Sequence, residues 1–148
     1  MTWSPHVTLA TIVERHGRFL LVYEHANGKK VYNQPAGHLE PDESLIQAAV
    51  RETLEETGWD VEPTHLVNVR LYTAPANGVT YLRTTVVAKP LRHNPLLPLD
   101  QDIIETVWLT RDEIAERFDQ LRSPMTLRVI DDYLAGQRFP LEIIAPDR

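Results

Sequence analysis

Glu52, Glu55 and Glu56 stand three and four residues apart in the run RETLEETG, Arg51 to Gly58. On a helix both spacings make neighbours, and like charges there cost roughly 0.2–0.5 kcal/mol per pair. Arg51 is the only cation interleaved with them. Carboxylate oxygens are hard ligands that suit Mg²⁺, Mn²⁺ or Ca²⁺. Mg²⁺ takes a few carboxylates and completes its shell with water and phosphate oxygens. Several carboxylates on one helix could therefore hold two or more ions around a diphosphate. Such ions neutralise phosphate charge, polarise phosphorus and lower the pKa of a bound water. The competing reading is a solvated acidic face.

The helix must bring these groups to one side. At about 100° per residue, Glu55, Glu52 and Glu56 fall within an arc of about 100°. Leu45, Ala48 and Ala49 lie on that side one to two turns earlier, with Ile46, Val50, Thr53 and Leu54 opposite. The glutamates thus continue an apolar stripe, at the edge of a buried surface where clustered carboxylates need a counter-ion.

Charge is concentrated here. Residues 37–60 hold Glu40, Asp42, Glu43, Glu52, Glu55, Glu56 and Asp60 against the single base Arg51, which accounts for the whole net charge of −6. The remainder is balanced, with no basic stripe for a nucleic-acid backbone. The chain of 148 residues, 43% hydrophobic and 24% charged, reads as one globular domain spanning 1–148. It has no cysteine, which removes disulfides and thiolate chemistry. No run reaches the length of a membrane span, and no signal peptide is evident, so a cytoplasmic setting is expected.

The positioning elements follow in order. His6–Glu14 and Arg18–Glu24 read as a hairpin turning at His16-Gly17. Residues 26–30 make a turn and 31–35 a short extended piece. Asp42 is expected to cap a helix from Glu43 to Thr57, with Gly58 as a left-handed C-cap. Residues 61–72 and 79–89 read as strands, 90–98 as a proline-punctuated loop, and Ile103–Leu109 as a strand. Thr110 and Glu113 form a capping box opening a helix to about Leu121. Ser123 caps another, with Pro124 at its first position and an end near Gly136. Residues 140–144 read as extended. The alternation predicts a mixed sheet covered by helices.

The stretch GHLEPDESLIQAAVRETLEETGW, Gly37 to Trp59, resembles the Nudix box, G-x5-E-x7-R-E-U-x-E-E-x-G-U with U a bulky apolar residue. Gly37, Glu43, Arg51, Glu52, Glu55, Glu56, Gly58 and Trp59 match in spacing, and Thr53 departs where an aliphatic residue is usual. The flanks HVTLATIV, NQPAGHLE, LRSP and GQRFPLE resemble the NudJ-like branch of that family. The resemblance implies an α/β fold, a sandwich of helices around a mixed sheet. It implies metal ligation by Glu52, Glu55, Glu56 and the Ala36 carbonyl, and an Arg51–Glu43 pair that orients the helix. Gly37 is expected to permit a tight turn. The implied reaction is Mg²⁺-dependent hydrolysis of a small phosphorylated substrate, with Mn²⁺ as the alternative ion. Nucleoside tri- and diphosphates and a hydroxymethylpyrimidine diphosphate are the implied substrates. A homodimer is also a family expectation. The rivals are a non-catalytic Nudix nucleotide-binding module and a Nudix enzyme acting on RNA 5′ ends or dinucleoside or sugar-linked diphosphates.

Outside the box, Asp102 and Glu105 are candidates for a further acid, with Asp100 weaker and Glu40 a water-mediated one. Gln34 and His38 adjoin the metal loop as candidate substrate contacts. Tyr81 could stack a ring and Arg83 could meet phosphate, as could Tyr32, Tyr72, Arg70, Arg122 and Arg128. For each of these, ordinary packing or surface charge is the plainer reading.

Overall fold

The computed structural model describes residues 2–147. The order is β1 (His6–Arg15), β2 (Arg18–Ala26), β3 (Lys29–Asn33), β4 (Ala36–His38), α1 (Leu45–Thr57), β5 (Trp59–Thr73), β6 (Thr80–His93), β7 (Ile103–Leu109), α2 (Arg111–Glu116) and α3 (Met125–Leu134). Two 3₁₀ turns follow α2 and α3, at Phe118–Gln120 and Leu141–Ile144. The seven strands form one mixed sheet with the path β3-β2-β1-β6-β5, β4 attached to β1 and β7 to β2.

β1 and β6 run parallel, from His6↔Tyr81 to Val13↔Ala88. The β1–β2 hairpin turns at His16 and Gly17, both with positive φ. It is paired only at Glu14↔Phe19 and Arg15↔Arg18. Beyond that the strands part: β1 takes β4, while β2 takes β3 and β7.

Period-2 alternation distributes the core to two faces. Ile12, Phe19, Leu21, Val67 and Val87 pack against Ile114 of α2 and Met125, Val129, Ile130 and Tyr133 of α3. Their sequence neighbours Val13, Leu20 and Ala88 form a second cluster with Val61, Trp59 and Trp108. α1 lies on this second face, where the Thr11 hydroxyl donates to the Ala49 carbonyl. The α/β sandwich expected from the sequence is present.

Several boundaries differ. Ser44 caps α1 and Asp42 does not: the Ser44 hydroxyl accepts from Gln47 N–H, and the Gln47 side chain accepts from Ser44 N–H. Asp42 sits at φ 63, a left-handed conformation that an N-cap does not adopt. Thr53 belongs to the buried side of α1, where its hydroxyl bonds the Ala49 carbonyl. β2 and β3 close the expected 26–30 turn to Asn27-Gly28, both at positive φ. The strand β4 was not expected. Residues 90–93 are strand, because β1 pairing has ended at Ala88 and Pro90 owes it no N–H. α2 stops at Glu116. Residues 140–144 form a 3₁₀ turn, preceded by Phe139, which exchanges backbone hydrogen bonds with Leu66. α3 starts at Met125 with Pro124, not Ser123, at its N-cap; Ser123 Oγ accepts from Met125 N–H just outside the helix, which ends at Leu134.

Candidate active site

Where β1 and β2 part, a cavity of about 300 Å³ is lined by Glu24, Glu40, Glu52, Glu56, Asp100 and Asp102, with Arg122 as the only Lys or Arg among the described residues that line it. α1 presents Glu52 and Glu56 from its buried side, with residue exposures of 9% and 8%. The Glu55 side chain is 44% exposed at the rim. Ser44 holds the start of this helix and Gly58 its end. Gly58 is left-handed, φ 76, with its N–H on the Leu54 carbonyl at 2.9 Å.

Arg51 organises the acids. Its Nε donates to Glu43 Oε2 at 2.6 Å and its Nη2 to Glu43 Oε1 at 2.9 Å, a two-pronged pair. Its Nη1 reaches Glu52 Oε1 at 2.7 Å and Glu55 Oε2 at 3.3 Å. Nη2 also donates to the His38 carbonyl at 3.1 Å, tying α1 to β4. The hydrogen bond from Arg51 lowers the pKa of the Glu43 carboxyl, against an opposing effect of burial.

Gly37 has a role different from the expected tight turn. It lies in β4, opposite Leu9, and has no positive φ. A Cβ there would fall inside the Glu52 carboxylate. Glycine is needed for close approach, not for a turn. The neighbouring Ala36 N–H donates to Glu56 Oε1 at 2.9 Å. Within a strand a residue's N–H and C=O point to the same side, so the Ala36 carbonyl also faces α1.

Burial pushes the Glu56 carboxyl up to about 9. The Ala36 N–H opposes this, while Glu24, Glu52 and Asp100 reinforce it. Glu52 is also raised by burial, against the pull of Arg51. In both groups burial is the first cause and the neighbouring carboxylates add to it.

The carboxylate oxygens of Glu52, Glu55 and Asp100 lie within 4.8 Å of one another. This all-oxygen donor set fits a hard divalent cation. Asp100, the weaker candidate by sequence, is the one in this group. Its N–H bonds the Glu55 carbonyl at 3.0 Å, and Asn94 N–H bonds the Gly58 carbonyl at 2.9 Å. The loop after β6 is thus stitched across the end of α1. Asp102 lines the cavity without joining the trio. Glu105 does not line it: it pairs with Tyr23, on the α3 side of the sheet.

Glu24 was missed by sequence reasoning. It is 5% exposed, and its Oε2 accepts from Arg122 Nη1 at 3.0 Å. Burial raises its pKa, Arg122 lowers it and Asp102 raises it. The signal was the period-2 register of Leu20, Val22 and Glu24, which puts an acid on the α1 face.

Among the remaining candidates, Glu40 is 3.5 Å from Arg51 Nη1 and lines the acidic cavity. Gln34 is an internal tie: its Nε2 donates to the Thr126 carbonyl at 2.7 Å and its Oε1 accepts from Arg83 Nη2 at 2.9 Å. His38 lies at the mouth of two cavities, 3.1 Å from His6 Nδ1 and edge-on to Tyr81. Tyr81, Tyr72, Arg83 and Arg122 line the second cavity. Arg70 and Arg128 pair with Asp132 of α3, and Tyr32 packs against the α3-side core.

Comparison with known proteins agrees with this geometry. The NUDIX domain family model matches residues 3–129. Phosphatase NudJ of Escherichia coli K12 is 42% identical over 142 residues, covering 96% of this chain and 92% of the relative. A Nudix hydrolase structure from Nitrosomonas europaea superposes with a TM-score of 0.95 at 42% identity, covering 97% of each chain. A MutT Nudix hydrolase from Burkholderia pseudomallei shares the fold at 22% identity and a TM-score of 0.75, over 88% of this chain and 98% of that one. The chain belongs to the Nudix hydrolase family.

Proposed function

We propose that this Nudix hydrolase is a single-domain, Mg²⁺-dependent enzyme of the cytoplasm. It cleaves phosphoanhydride bonds of small nucleoside tri- or diphosphates or of a hydroxymethylpyrimidine diphosphate. The observation that carries this reading is the pair of adjoining cavities: one walled by six carboxylates, the other without any. The first suits cations and the second suits the phosphorylated substrate. The name of the 42% identical phosphatases favours release of inorganic phosphate.

Glu52, Glu55, Glu56, Asp100 and the Ala36 carbonyl would hold the metal, which when bound supplies charge neutralisation and a more acidic water. Arg51 keeps Glu52 and Glu55 in place and Glu43 keeps Arg51 in place. Gly37 leaves room for the Glu52 carboxylate. We assign the proton-accepting role to Glu56. The Arg51 hydrogen bond reduces the basicity of Glu52, whereas Glu56 is held by one neutral N–H. The absence of a basic stripe disfavours RNA ends as substrate.

Replacing Glu56 with Gln tests the assignment. The amide oxygen can still accept the Ala36 N–H, so the fold should persist. Phosphate release from a panel of nucleotides and pyrimidine diphosphates should fall on the order of 10²–10⁴-fold. Unchanged Mg²⁺-dependent turnover would refute it. A wild-type protein that binds nucleotides with no phosphate or pyrophosphate release, with or without Mg²⁺, would instead be a binding module.

A further inference from the structure

The second cavity, of about 230 Å³, has no Asp or Glu in its lining and two arginines, Arg83 and Arg122. Arg122 stands at the border and is paired with Glu24. Among the described residues Arg83 has no such partner. It is 8% exposed, and its Nη2 donates to two neutral amide oxygens, Asn33 Oδ1 at 3.2 Å and Gln34 Oε1 at 2.9 Å. Its Nη1 is buried with no hydrogen-bond partner among the described residues. Burial, then the like charge of Arg122, lowers its pKa to about 10, which still leaves it charged at neutral pH.

Buried guanidinium groups are ordinarily paired, because an unpaired charge forfeits its hydration. Tying down Asn33 and Gln34 explains Nη2 alone. A neutral amide could make those bonds without the charge. The unused donor and the uncompensated charge both call for an anion. The two cavities share Ala36, Gly37, His38 and Arg122, so a chain of phosphates beginning in the acidic cavity continues into the basic one.

We propose that the second cavity is an anion subsite, in which Arg83 and Arg122 hold a phosphate of the substrate that the metal does not. The subsite makes Arg83 and Arg122 determinants of the preference for diphosphates over monophosphates. This rests on the acidic cavity being the hydrolytic site. Calorimetry of the full chain in EDTA, with inorganic phosphate, pyrophosphate and a nucleoside diphosphate as probes, reads the subsite without metal. Pyrophosphate and the diphosphate should bind. Arg83→Lys keeps a charge but loses the fork, and Arg122→Gln alters a half-exposed side chain whose loss the fold should tolerate. Each should weaken metal-free binding and raise KM for diphosphates about 10–100-fold. Mn²⁺ affinity measured without substrate should be unchanged in Arg83→Lys, since Arg83 does not line the acidic cavity.

Folded Arg122→Gln protein with unaltered pyrophosphate binding and KM would overturn the proposal, whatever becomes of Arg83→Lys. So would variants that lose inorganic phosphate binding but keep the diphosphate KM, since the cavity would then serve product alone. The Glu56→Gln result is independent: it can refute the hydrolytic assignment while metal-free anion binding persists.

Discussion

At the scale of residues, the site is a problem of like charge solved by one cation and one missing side chain. Arg51 touches Glu43, Glu52 and Glu55 together, and Gly37 vacates the space that the Glu52 carboxylate occupies. Gly37→Ala should therefore leave the protein folded, because the position is extended backbone that alanine can adopt. Its methyl group would displace Glu52 from Arg51. Mg²⁺ affinity should fall about 10–100-fold, as when a ligand's supporting contact is removed. Mn²⁺ titration monitored by calorimetry would measure it, and wild-type affinity in a folded Gly37→Ala protein would contradict the close-approach argument. Glu52, Glu55 and Glu56 were legible in the sequence because one helical arc collects them, and Arg51 and Glu43 because the box resemblance implies their pairing. Glu24 was not read as a site residue, and Asp100 only as a weaker candidate than Asp102 and Glu105. Glu24 arrives from β2, 28 positions before Glu52, and Asp100 from a loop whose path is set by hydrogen bonds to the end of α1. The register of β2 turns Glu24 to the α1 face, but no local pattern encodes its meeting with Glu52 or the path of the Asp100 loop.

At the scale of elements, α1 is aimed by its two ends. Ser44 and Gln47 satisfy donors at its start, and left-handed Gly58 turns the chain at its finish. Ser44→Ala should destabilise the protein by about 0.5–2 kcal/mol. Asp42→Gly should not show this loss, since Asp42 makes no capping bond and its positive φ suits glycine. Urea titrations of Ser44→Ala and Asp42→Gly would separate them, and a larger loss at Asp42 would restore it as the cap. Gly58→Ala should be worse than either. It strains a φ of 76 and brings a Cβ to 2.8 Å from the Asn94 carbonyl oxygen, on the loop that delivers Asp100. Asp42 misled as a cap because acids two residues apart, or an acid and a serine, compete on nearly equal propensity, and only backbone dihedrals choose between them. Pro90 misled in the same way. Proline ends a strand only where its N–H is needed, and here the neighbour strand had already ended. The central strands and the Thr110–Glu113 box were legible because their periodicity and capping chemistry are local.

At the scale of the whole molecule, the acidic cavity couples folding, protonation and metal. Without metal, burial lifts Glu56 to about 9 and raises Glu52 and Glu24 as well. A raised carboxyl means that the folded chain binds a proton more tightly than the unfolded chain, whose value is 4.5. The resulting stability is complete below that value and is lost as pH rises towards 9. The metal-free protein should accordingly lose stability between pH 5 and pH 9, by up to about 1.4 kcal/mol per pH unit for one such group. For a chain of this length that is about 2–4 °C in Tm per kcal/mol. Glu43 and Asp132 act in the other direction and in another window. Arg51 lowers Glu43; burial raises Asp132, but Arg70 and Asn68 outweigh it. Their contributions are lost only on acidification below the usual carboxylate range. Mg²⁺ requires ionised carboxylates, so its binding should expel protons and grow stronger with pH. Two measurements check this. Thermal melts in EDTA from pH 5 to pH 9 should slope downward, and Glu56→Gln should make the slope shallower by removing one of three raised carboxyls. Calorimetry of Mg²⁺ binding at pH 7, in buffers of different ionisation enthalpy, should report proton release by the wild type and less by Glu56→Gln. A slope as steep in Glu56→Gln as in the wild type, together with Mg²⁺ binding that releases no proton, would mean that Glu56 is ionised before the metal arrives, and that the cavity is wetter than its burial implies.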